Sequence, residues 1–218
     1  LGTKLANLGD MYVFDAFGTA HREQASTHSA IQNSSVACAG FLLERENEFL
    51  SQALNNYGSP YIAVIGGAKV STKLELIKHI NKVADHIIVG GGIANTFLKA
   101  SGSDIGTSLV EDSMIDVAKE LLDKGKIILP KKVITSSTFE GTDIKETLAD
   151  KVSKDEMILD LHLEEETISL IHNANTILWN GPMGVFENEA FAKGTKDLSE
   201  AIARSSAFSL AGGGETLA

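Results

Sequence analysis

From Tyr61 onward, short apolar runs alternate with longer amphipathic segments, and this alternation allows few folds. The apolar runs, each long enough for one strand, are YIAVI (61–65), HIIVG (86–90), KIILP (126–130), TILW (176–179) and AFSLA (207–211). Between them, residues 70–84 and 113–125 repeat apolar side chains at three- and four-residue spacing, which predicts helices. Strands that alternate with helices form a parallel sheet covered on both faces. The sequence therefore predicts an α/β fold with a doubly wound parallel sheet.

The beginning of the chain has a different pattern. A short helical stretch leads into the apolar run MYVF (11–14) and then into the polar segment DAFGTAHREQAST (15–27). A long helix is predicted from about Ser34 to Asn55, and Gly58-Ser59-Pro60 ends it.

This pattern suggests a chain that carries parts of two domains. We interpret 1–33 as the remnant of a second α/β domain, 34–57 as an interdomain hinge helix, and 58–218 as an incomplete sheet domain. The chain starts without methionine, and both of its ends fall inside expected elements. We therefore expect an internal fragment that lacks both ends of a longer protein.

Composition narrows the possible partners. Acidic residues outnumber basic ones by 29 to 19, which gives a formal net charge of −10 and argues against a duplex-binding protein. The single cysteine, Cys38, excludes an intrachain disulfide, and its small apolar neighbours predict a buried thiol. No apolar run approaches the roughly 20 residues that a membrane helix needs, and no signal sequence opens the chain. These features predict a cytosolic protein.

The segment GGAKVSTK (66–73) directly follows the first apolar run. A helix that begins there presents free N–H groups and partial positive charge, which suit a phosphate. Lys69 and Lys73 lie four residues apart, on one helix face, and an anion would relieve their repulsion at this end. The alternative is a tight turn with two solvated lysines. The Walker A pattern GxxxxGK[ST] is absent.

Two further glycine turns follow later apolar runs. Gly90-Gly91-Gly92 does not fit the dinucleotide pattern GxGxxG, but glycines without side chains could form a flat slot for an adenine ring. Gly212-Gly213-Gly214 precedes Glu215, and magnesium takes one or two carboxylates together with phosphate oxygens and water. The alternatives are a simple turn and an acid that favours a helix N-terminus.

The segment WNGPMGVFE (179–187) forms a rigid loop after a strand, because its proline lies between two glycines. Asn180 offers an amide to phosphate oxygens, and Glu187 could accept hydrogen bonds from ribose hydroxyls. The alternative is a rigid turn with a surface acid. Four such turns at one edge of one sheet together predict a site for a nucleoside triphosphate.

Six ordered motifs cover nearly the whole chain, namely DAFGTAHR (15–22), GGAKVSTK (66–73), GGGIANTFL (90–98), IGTSLVE (105–111), WNGPMGVFE (179–187) and GGGET (212–216). In content and order they resemble the bacterial-type phosphoglycerate kinases. The resemblance implies reversible phosphoryl transfer in glycolysis between ATP and 3-phosphoglycerate, giving ADP and 1,3-bisphosphoglycerate, with Mg²⁺. It implies a two-domain, monomeric, cytoplasmic enzyme with small-molecule substrates and with neither nucleic acid nor a membrane as partner.

The same resemblance assigns roles residue by residue. Arg22 and Lys69 would be catalytic, with Arg22 on the sugar acid and the transferring phosphoryl group and Lys69 stabilising that group. The nucleotide-binding residues would be Lys73, Gly91, Gly92, Leu109, Asn180, Glu187, Gly213, Gly214 and Thr216. Glu215 would lie near the magnesium ion.

The chain departs from the family pattern at four places. Phe14 stands where the family usually has asparagine, Glu215 where it has aspartate, Lys131-Lys132 where an acid is frequent, and His162-Leu163 where a glycine-proline pair is usual. Family segments before and after this chain are also missing. If the chain is the whole polypeptide, we expect it to have little or no kinase turnover.

Three other functions are alternatives to the kinase. The first is a nucleotide-binding module without kinase activity. A nicotinamide dehydrogenase is disfavoured by the missing GxGxxG. A purely structural partner protein is disfavoured because such a protein needs no turns suited to phosphate.

Overall fold

A computed structural model describes residues 1–55 and 57–217 of the chain. The contacts divide the chain into two units, Leu1–Asn56 and Tyr57–Ala218. Among the helices described, none combines the length and the apolar composition needed to span a bilayer.

Over residues 1–55, the first unit contains three α-helices and a two-stranded parallel sheet. Its elements are α1 (Gly2–Ala6), β1 (Tyr12–Phe14), α2 (Ala30–Asn33), β2 (Ala37–Ala39) and α3 (Phe41–Asn55), with a 3₁₀ turn at Phe17–Thr19 and a π-helical turn at Ala25–Ser29. Strand β1 pairs with β2 in register Tyr12–Ala37.

The long helix predicted from Ser34 begins only at Phe41. Residues Ala37–Ala39 form strand β2 instead, so the prediction of helix before Phe41 is wrong. A Cβ at Gly40 would lie 2.3 Å from the Asp15 side chain, so the chain can turn there only because glycine has none. The Asp15 carboxylate then accepts a hydrogen bond from the Leu43 amide at 2.7 Å and caps α3.

The prediction of a buried Cys38 is also wrong. Cys38 lies in β2, every residue of which is exposed. Its Sγ lies 3.8 Å from the Met11 Sδ. The small neighbours suggested a core position, but a two-stranded sheet leaves this strand uncovered within its unit.

The second unit contains the remaining regular elements. Its strands are β3 (Tyr61–Ile65), β4 (His86–Val89), β5 (Ile127–Ile128), β6 (Lys132–Ser136), β7 (Lys145–Leu148), β8 (Met157–Leu161), β9 (Thr176–Asn180) and β10 (Phe208–Ala211). Its α-helices are α4 (Val70–Val83), α5 (Gly91–Ala100), α6 (Ile115–Leu122), α7 (Glu165–His172), α8 (Lys193–Arg204) and α9 (Gly214–Leu217), with 3₁₀ turns at Asp112–Met114 and Glu189–Phe191.

Five strands form a parallel sheet in the order β10-β9-β3-β4-β5. From β3 the chain proceeds outward through β4 to β5, and later returns to the other side of β3 through β9 to β10. This confirms the doubly wound sheet and places its topological switch point between β3 and β9. Every residue of β3 is buried, as expected for an apolar run in the centre of a parallel sheet.

A second, three-stranded sheet with the order β7-β6-β8 is antiparallel and was not predicted. Strand β7 (KETL) is largely exposed and charged, so it lacks the apolar pattern of the other strands. The sheet contacts α5 and α8 through β8, which brings it beside the carboxyl edge of the parallel sheet.

Candidate functional site

The glycine turns after β3 and β9 meet at the switch point of the parallel sheet. The Gly66 amide donates a hydrogen bond to the Asn180 carbonyl at 2.9 Å. A Cβ on Gly66 would lie 1.9 Å from the Pro182 carbonyl oxygen, and one on Gly181 would lie 2.4 Å from the Gly66 oxygen. Gly181 also has φ +104°, a left-handed conformation that favours glycine. These two turns can therefore approach each other only without side chains.

Lys73 forms hydrogen bonds to both of these turns. From the first turn of α4, its Nζ donates to the Gly66 carbonyl at 2.7 Å and to the Asn180 carbonyl at 3.0 Å. Burial lowers the pKa of Lys73, whereas the nearby charge of Glu215 acts in the opposite direction. An ammonium has three N–H donors, so one remains for a ligand oxygen.

Asn180 and Thr216 connect the β9 turn to the β10 turn. The Asn180 amide donates to the Gly212 carbonyl at 2.7 Å, and the Thr216 hydroxyl accepts from the Gly181 amide at 2.8 Å. Gly213 has φ +102°, which allows the chain to turn into α9. The structure thus brings together three of the four predicted turns around Lys73, although part of the Asn180 amide is engaged within the protein.

The fourth turn, at Gly91 and Gly92, contacts the β3 turn from the other side. Gly91 has φ +61° and donates its amide to the Met183 carbonyl at 2.7 Å. A Cβ on Gly92 would lie 2.4 Å from the Ala68 carbonyl and 3.1 Å from Leu109 Cδ2. Protein atoms occupy the space that a side chain would need at both positions, so this turn can pack closely against Ala68 and Leu109 only because it is built of glycine.

A cleft of about 320 Å³ lies between these turns and the antiparallel sheet. The predicted residues that line it are Gly91, Gly92, Leu109, Glu187 and Glu215. Residues that the sequence did not single out also line it, among them Phe139, Leu159, Asp160 and Val185. Leu159 was missed because β8 was not predicted, whereas Val185 lies inside the motif 179–187 and could have been included.

Other predicted residues lie outside the lining of this cleft. Lys73, Asn180, Gly213 and Thr216 support its edge through the bonds described above, and Gly214 begins α9. Lys69 is exposed at the N-cap of α4. Arg22 is exposed in the first unit, where its amide donates to the Thr19 carbonyl at 3.0 Å.

One expectation about α4 is corrected. Its N-terminal amides were expected to be free for a phosphate, but the Ser71 amide donates to the Glu111 carboxylate at 2.9 Å. The anion that relieves the positive end of this helix is therefore supplied by the protein itself.

Comparison with known proteins identifies the family. The family model described as "Phosphoglycerate kinase" matches residues 1–218. The chain belongs to the phosphoglycerate kinase family. It is 52% identical over 227 residues to the phosphoglycerate kinase of Legionella pneumophila (strain Paris) and 50% identical over 221 residues to that of Haemophilus influenzae. In both alignments the whole chain is matched, and it spans 57% of the length of each relative.

Solved structures give the same result for the fold. The structure of phosphoglycerate kinase from Coxiella burnetii superimposes with a TM-score of 0.89 at 45% identity, over 99% of this chain and 58% of that one. The crystal structure of phosphoglycerate kinase from Pyrococcus horikoshii gives a TM-score of 0.84 at 34% identity, over 98% and 56% of the two chains.

The departures from the family motifs have identifiable surroundings. His162 Nδ1 lies 3.2 Å from Glu146, which also pairs with Lys132 at 2.9 Å. Leu163 is buried in the apolar core of the parallel sheet. Phe14 uses its backbone carbonyl to accept the Gly40 amide at 2.9 Å, a bond that does not depend on its side chain. Glu215 lines the cleft.

Proposed function

We propose that this chain is the nucleotide-binding part of a phosphoglycerate kinase that transfers a phosphoryl group reversibly between ATP and 3-phosphoglycerate. The products in one direction are ADP and 1,3-bisphosphoglycerate. The observation that supports the proposal most strongly is the cleft of about 320 Å³, with a glycine wall on one side and the half-buried Lys73 beneath its edge. A cleft lined by Gly91, Gly92 and Leu109 suits a nucleobase, and a cation with one free donor suits phosphate oxygens.

The nucleotide would lie along this cleft with its base against Gly91, Gly92 and Leu109 and its ribose hydroxyls near Glu187. These residues line one continuous cavity, which supports the assignment. Lys73, Asn180 and Thr216 would hold the phosphates, together with the turn at Gly213 and Gly214. A monomeric, cytoplasmic enzyme is what the family resemblance implies, and this stays a prediction.

The donor set around Glu215 fits a magnesium ion that is bound mainly by phosphate. Within the described residues, no three His, Cys, Asp or Glu side chains are grouped so that they could hold a metal. Glu215 would thus be the carboxylate from this chain, with phosphate oxygens and water as the other ligands, which is the usual arrangement for Mg²⁺. When bound, the ion would neutralise charge on the phosphates.

The chain's own contribution to the reaction would be charge and alignment. The acceptor is a carboxylate and the leaving group is a phosphate, so no general base is needed. A loose phosphoryl transition state carries negative charge on its peripheral oxygens. Lys69 and Arg22 are the cations proposed to stabilise that charge.

The binding part of the proposal is tested by titrating the chain with Mg-ADP in a calorimeter. Lys73→Met should weaken binding about tenfold or more, because a charged hydrogen bond to phosphate is lost. Lys119→Met removes an exposed lysine on α6 and serves as the matched control. No binding by the unaltered chain, or equal binding by Lys73→Met, would refute the assignment.

The second candidate is a nucleotide-binding module without kinase activity. It is favoured by the observation that all residues lining the cleft belong to the second unit, whereas Arg22 belongs to the first. A coupled assay with ATP and 3-phosphoglycerate separates the two candidates, since a module binds Mg-ADP without turnover. In a protein with turnover, Lys69→Ala should reduce the rate far more than the nucleotide affinity.

A further inference from the structure

Glu111 holds the N-terminal end of α4 from another part of the chain. Its Oε2 accepts the Ser71 amide at 2.9 Å, and its Oε1 accepts the Ser71 hydroxyl. The N-cap residue, Lys69, makes no side-chain capping bond within the described part of the chain. A carboxylate 40 residues later in the sequence therefore takes the place of a local cap. We call this pair the Glu111–Ser71 clamp.

The segment that carries Glu111 is itself fixed to the wall of the cleft. Three hydrogen bonds attach it to α5 and β8, namely Asn95 Nδ2 to the Leu109 carbonyl (3.1 Å), the Glu111 amide to Thr96 Oγ1 (3.2 Å) and the Ile158 amide to Ser108 Oγ (2.8 Å). Leu109, two residues before Glu111, lines the cleft. The clamp thus joins the wall of the cleft to the helix that carries Lys73.

The charge of Glu111 also faces Lys69. Hydrogen bonds from Ser71 are the main cause that holds the pKa of Glu111 below its ordinary value, and the Lys69 charge adds to this effect. Glu111 is therefore an anion at neutral pH. It neutralises part of the positive charge that gathers where Lys69 meets the N-terminus of α4.

We propose that Glu111 is a positioning residue for the nucleotide site, which fixes the first turn of α4 and thereby places Lys69 and Lys73 relative to the wall at Leu109. This inference rests on the proposed function. Glu111 itself does not line the cleft and is not assigned a contact with the nucleotide.

A purely electrostatic role predicts the opposite result. If Glu111 were only an acid near a phosphate site, its removal would make the site more positive and Mg-ADP would bind more tightly. If Glu111 is a positioning residue, its removal loosens α4 and Mg-ADP binds more weakly. The sign of the change therefore separates the two roles.

The variants Glu111→Ala and Glu111→Gln separate hydrogen bonding from charge. Alanine removes both. Glutamine removes the charge, but its carbonyl can accept the Ser71 amide while its amide donates to the Ser71 hydroxyl. Glu120→Ala removes an exposed carboxylate from α6 and is the matched control.

The experiment combines two measurements on the 218-residue chain. Calorimetry compares Mg-ADP with adenosine, which lacks phosphates. We expect Glu111→Ala to weaken Mg-ADP binding about fivefold to tenfold and adenosine binding less than about twofold, with Glu111→Gln recovering most of the loss. Hydrogen exchange without ligand should show faster exchange of the Ser71 amide in Glu111→Ala and unchanged exchange across Asn95–Leu98 in α5.

Several outcomes would overturn the inference. They are tighter or unchanged Mg-ADP binding by Glu111→Ala, an equal loss for adenosine, or unchanged exchange at Ser71. If the unaltered chain binds no Mg-ADP, the proposed function fails and the positioning role fails with it, while the exchange data still show whether the clamp forms. If the unaltered chain binds and only the variant comparison fails, the proposed function stands without this inference.

Discussion

The two sheets of the second unit are stabilised by different kinds of interaction. At the carboxyl edge of the parallel sheet, glycine turns contact each other through backbone atoms, and the strands behind them are apolar and buried. The antiparallel sheet depends on charged side chains instead, since the buried Glu156 accepts hydrogen bonds from Lys145 at 2.5 Å and Thr135 at 2.9 Å. We call the parallel sheet with its glycine turns the shape-determined side, and the antiparallel sheet with the hydrogen bonds to buried Glu156 the charge-determined side. The stability of the shape-determined side should fall when atoms are added to its glycine turns. The stability of the charge-determined side should change with pH.

The largest effect is expected at the point where the two glycine turns meet. Gly66→Ala would place a methyl group 1.9 Å from the Pro182 carbonyl oxygen, which is a backbone atom and cannot rotate away. The turn must then separate from β9, which also strains the bond between the Gly66 amide and Asn180. We expect a loss of about 4 kcal/mol or more in the free energy of unfolding, measured by urea denaturation.

Gly214→Ala is the control for this variant. A Cβ at Gly214 meets no heavy atom within 4 Å among the described residues, and alanine is favourable in a helix. Its stability should stay within about 1 kcal/mol of the unaltered chain. A Gly66→Ala protein of ordinary stability would show that the two turns can separate at little cost, and the contrast between the sheets would fail.

The sequence predicted the shape-determined side better than the charge-determined side. Strand β3 and the turn after it could be recognised because a continuous apolar run followed by glycine is a local signal. The spacing of Lys69 and Lys73 predicted that both lysines lie at the start of the helix that follows the β3 turn. The approach of Gly66 to Gly181 also follows from parallel strands whose carboxyl ends share one edge.

The remaining features depend on contacts between distant parts of the chain. The Glu111–Ser71 clamp spans 40 residues, and no local pattern indicates that a carboxylate will cap a distant helix. Strand β7 was missed because its charged residues form a strand only through pairing with β6. The start of α3 at Phe41 depends on the Asp15 side chain, which likewise comes from another segment.

The next effect concerns Asp160, where the two sides meet. This β8 carboxyl is 1% exposed and accepts the Gly194 amide at 2.8 Å, while its Oδ1 has no hydrogen-bond partner among the described residues. Burial raises the pKa of Asp160 from 3.8 to about 6, and the charge of Asp197 adds to the increase. Between these two values the folded protein holds a proton that the unfolded chain has released, so stability falls as pH rises through this window.

Asp160→Asn removes this titration and keeps the shape of the side chain. Relative to the unaltered chain, the variant should gain up to about 3 kcal/mol between pH 4 and pH 7. Urea denaturation at several pH values measures the difference, and Asp155→Asn, which changes an exposed carboxyl, is the control. If the free energies of unfolding of Asp160→Asn and the unaltered chain change with pH in parallel, Asp160 is solvated. The expected difference in pH sensitivity between the two sheets would then be smaller.

The smallest effect isolates one hydrogen bond of the antiparallel sheet. Thr135→Val keeps the buried shape but removes the hydroxyl that donates to Glu156, and we expect a loss of about 1–2 kcal/mol near neutral pH. Hydrogen bonds from Lys145 and then Thr135 hold the pKa of Glu156 below 4.5. The stabilisation by ionised Glu156 is therefore fully present above pH 4.5 and is lost as the pH falls through the lower pKa of Glu156 in the folded protein. This pH dependence is opposite in sign to the one at Asp160.

The cost of Thr135→Val should accordingly shrink in acid, where Glu156 is protonated in both proteins. The comparison between the sheets becomes sharper if the two variants change with pH in opposite directions in the same urea experiment. A cost for Thr135→Val that is the same at every pH would assign it to packing of the valine. The charge of Glu156 would then make no difference to the contribution of the Thr135 hydroxyl. The antiparallel sheet would depend on packing, as the parallel sheet does.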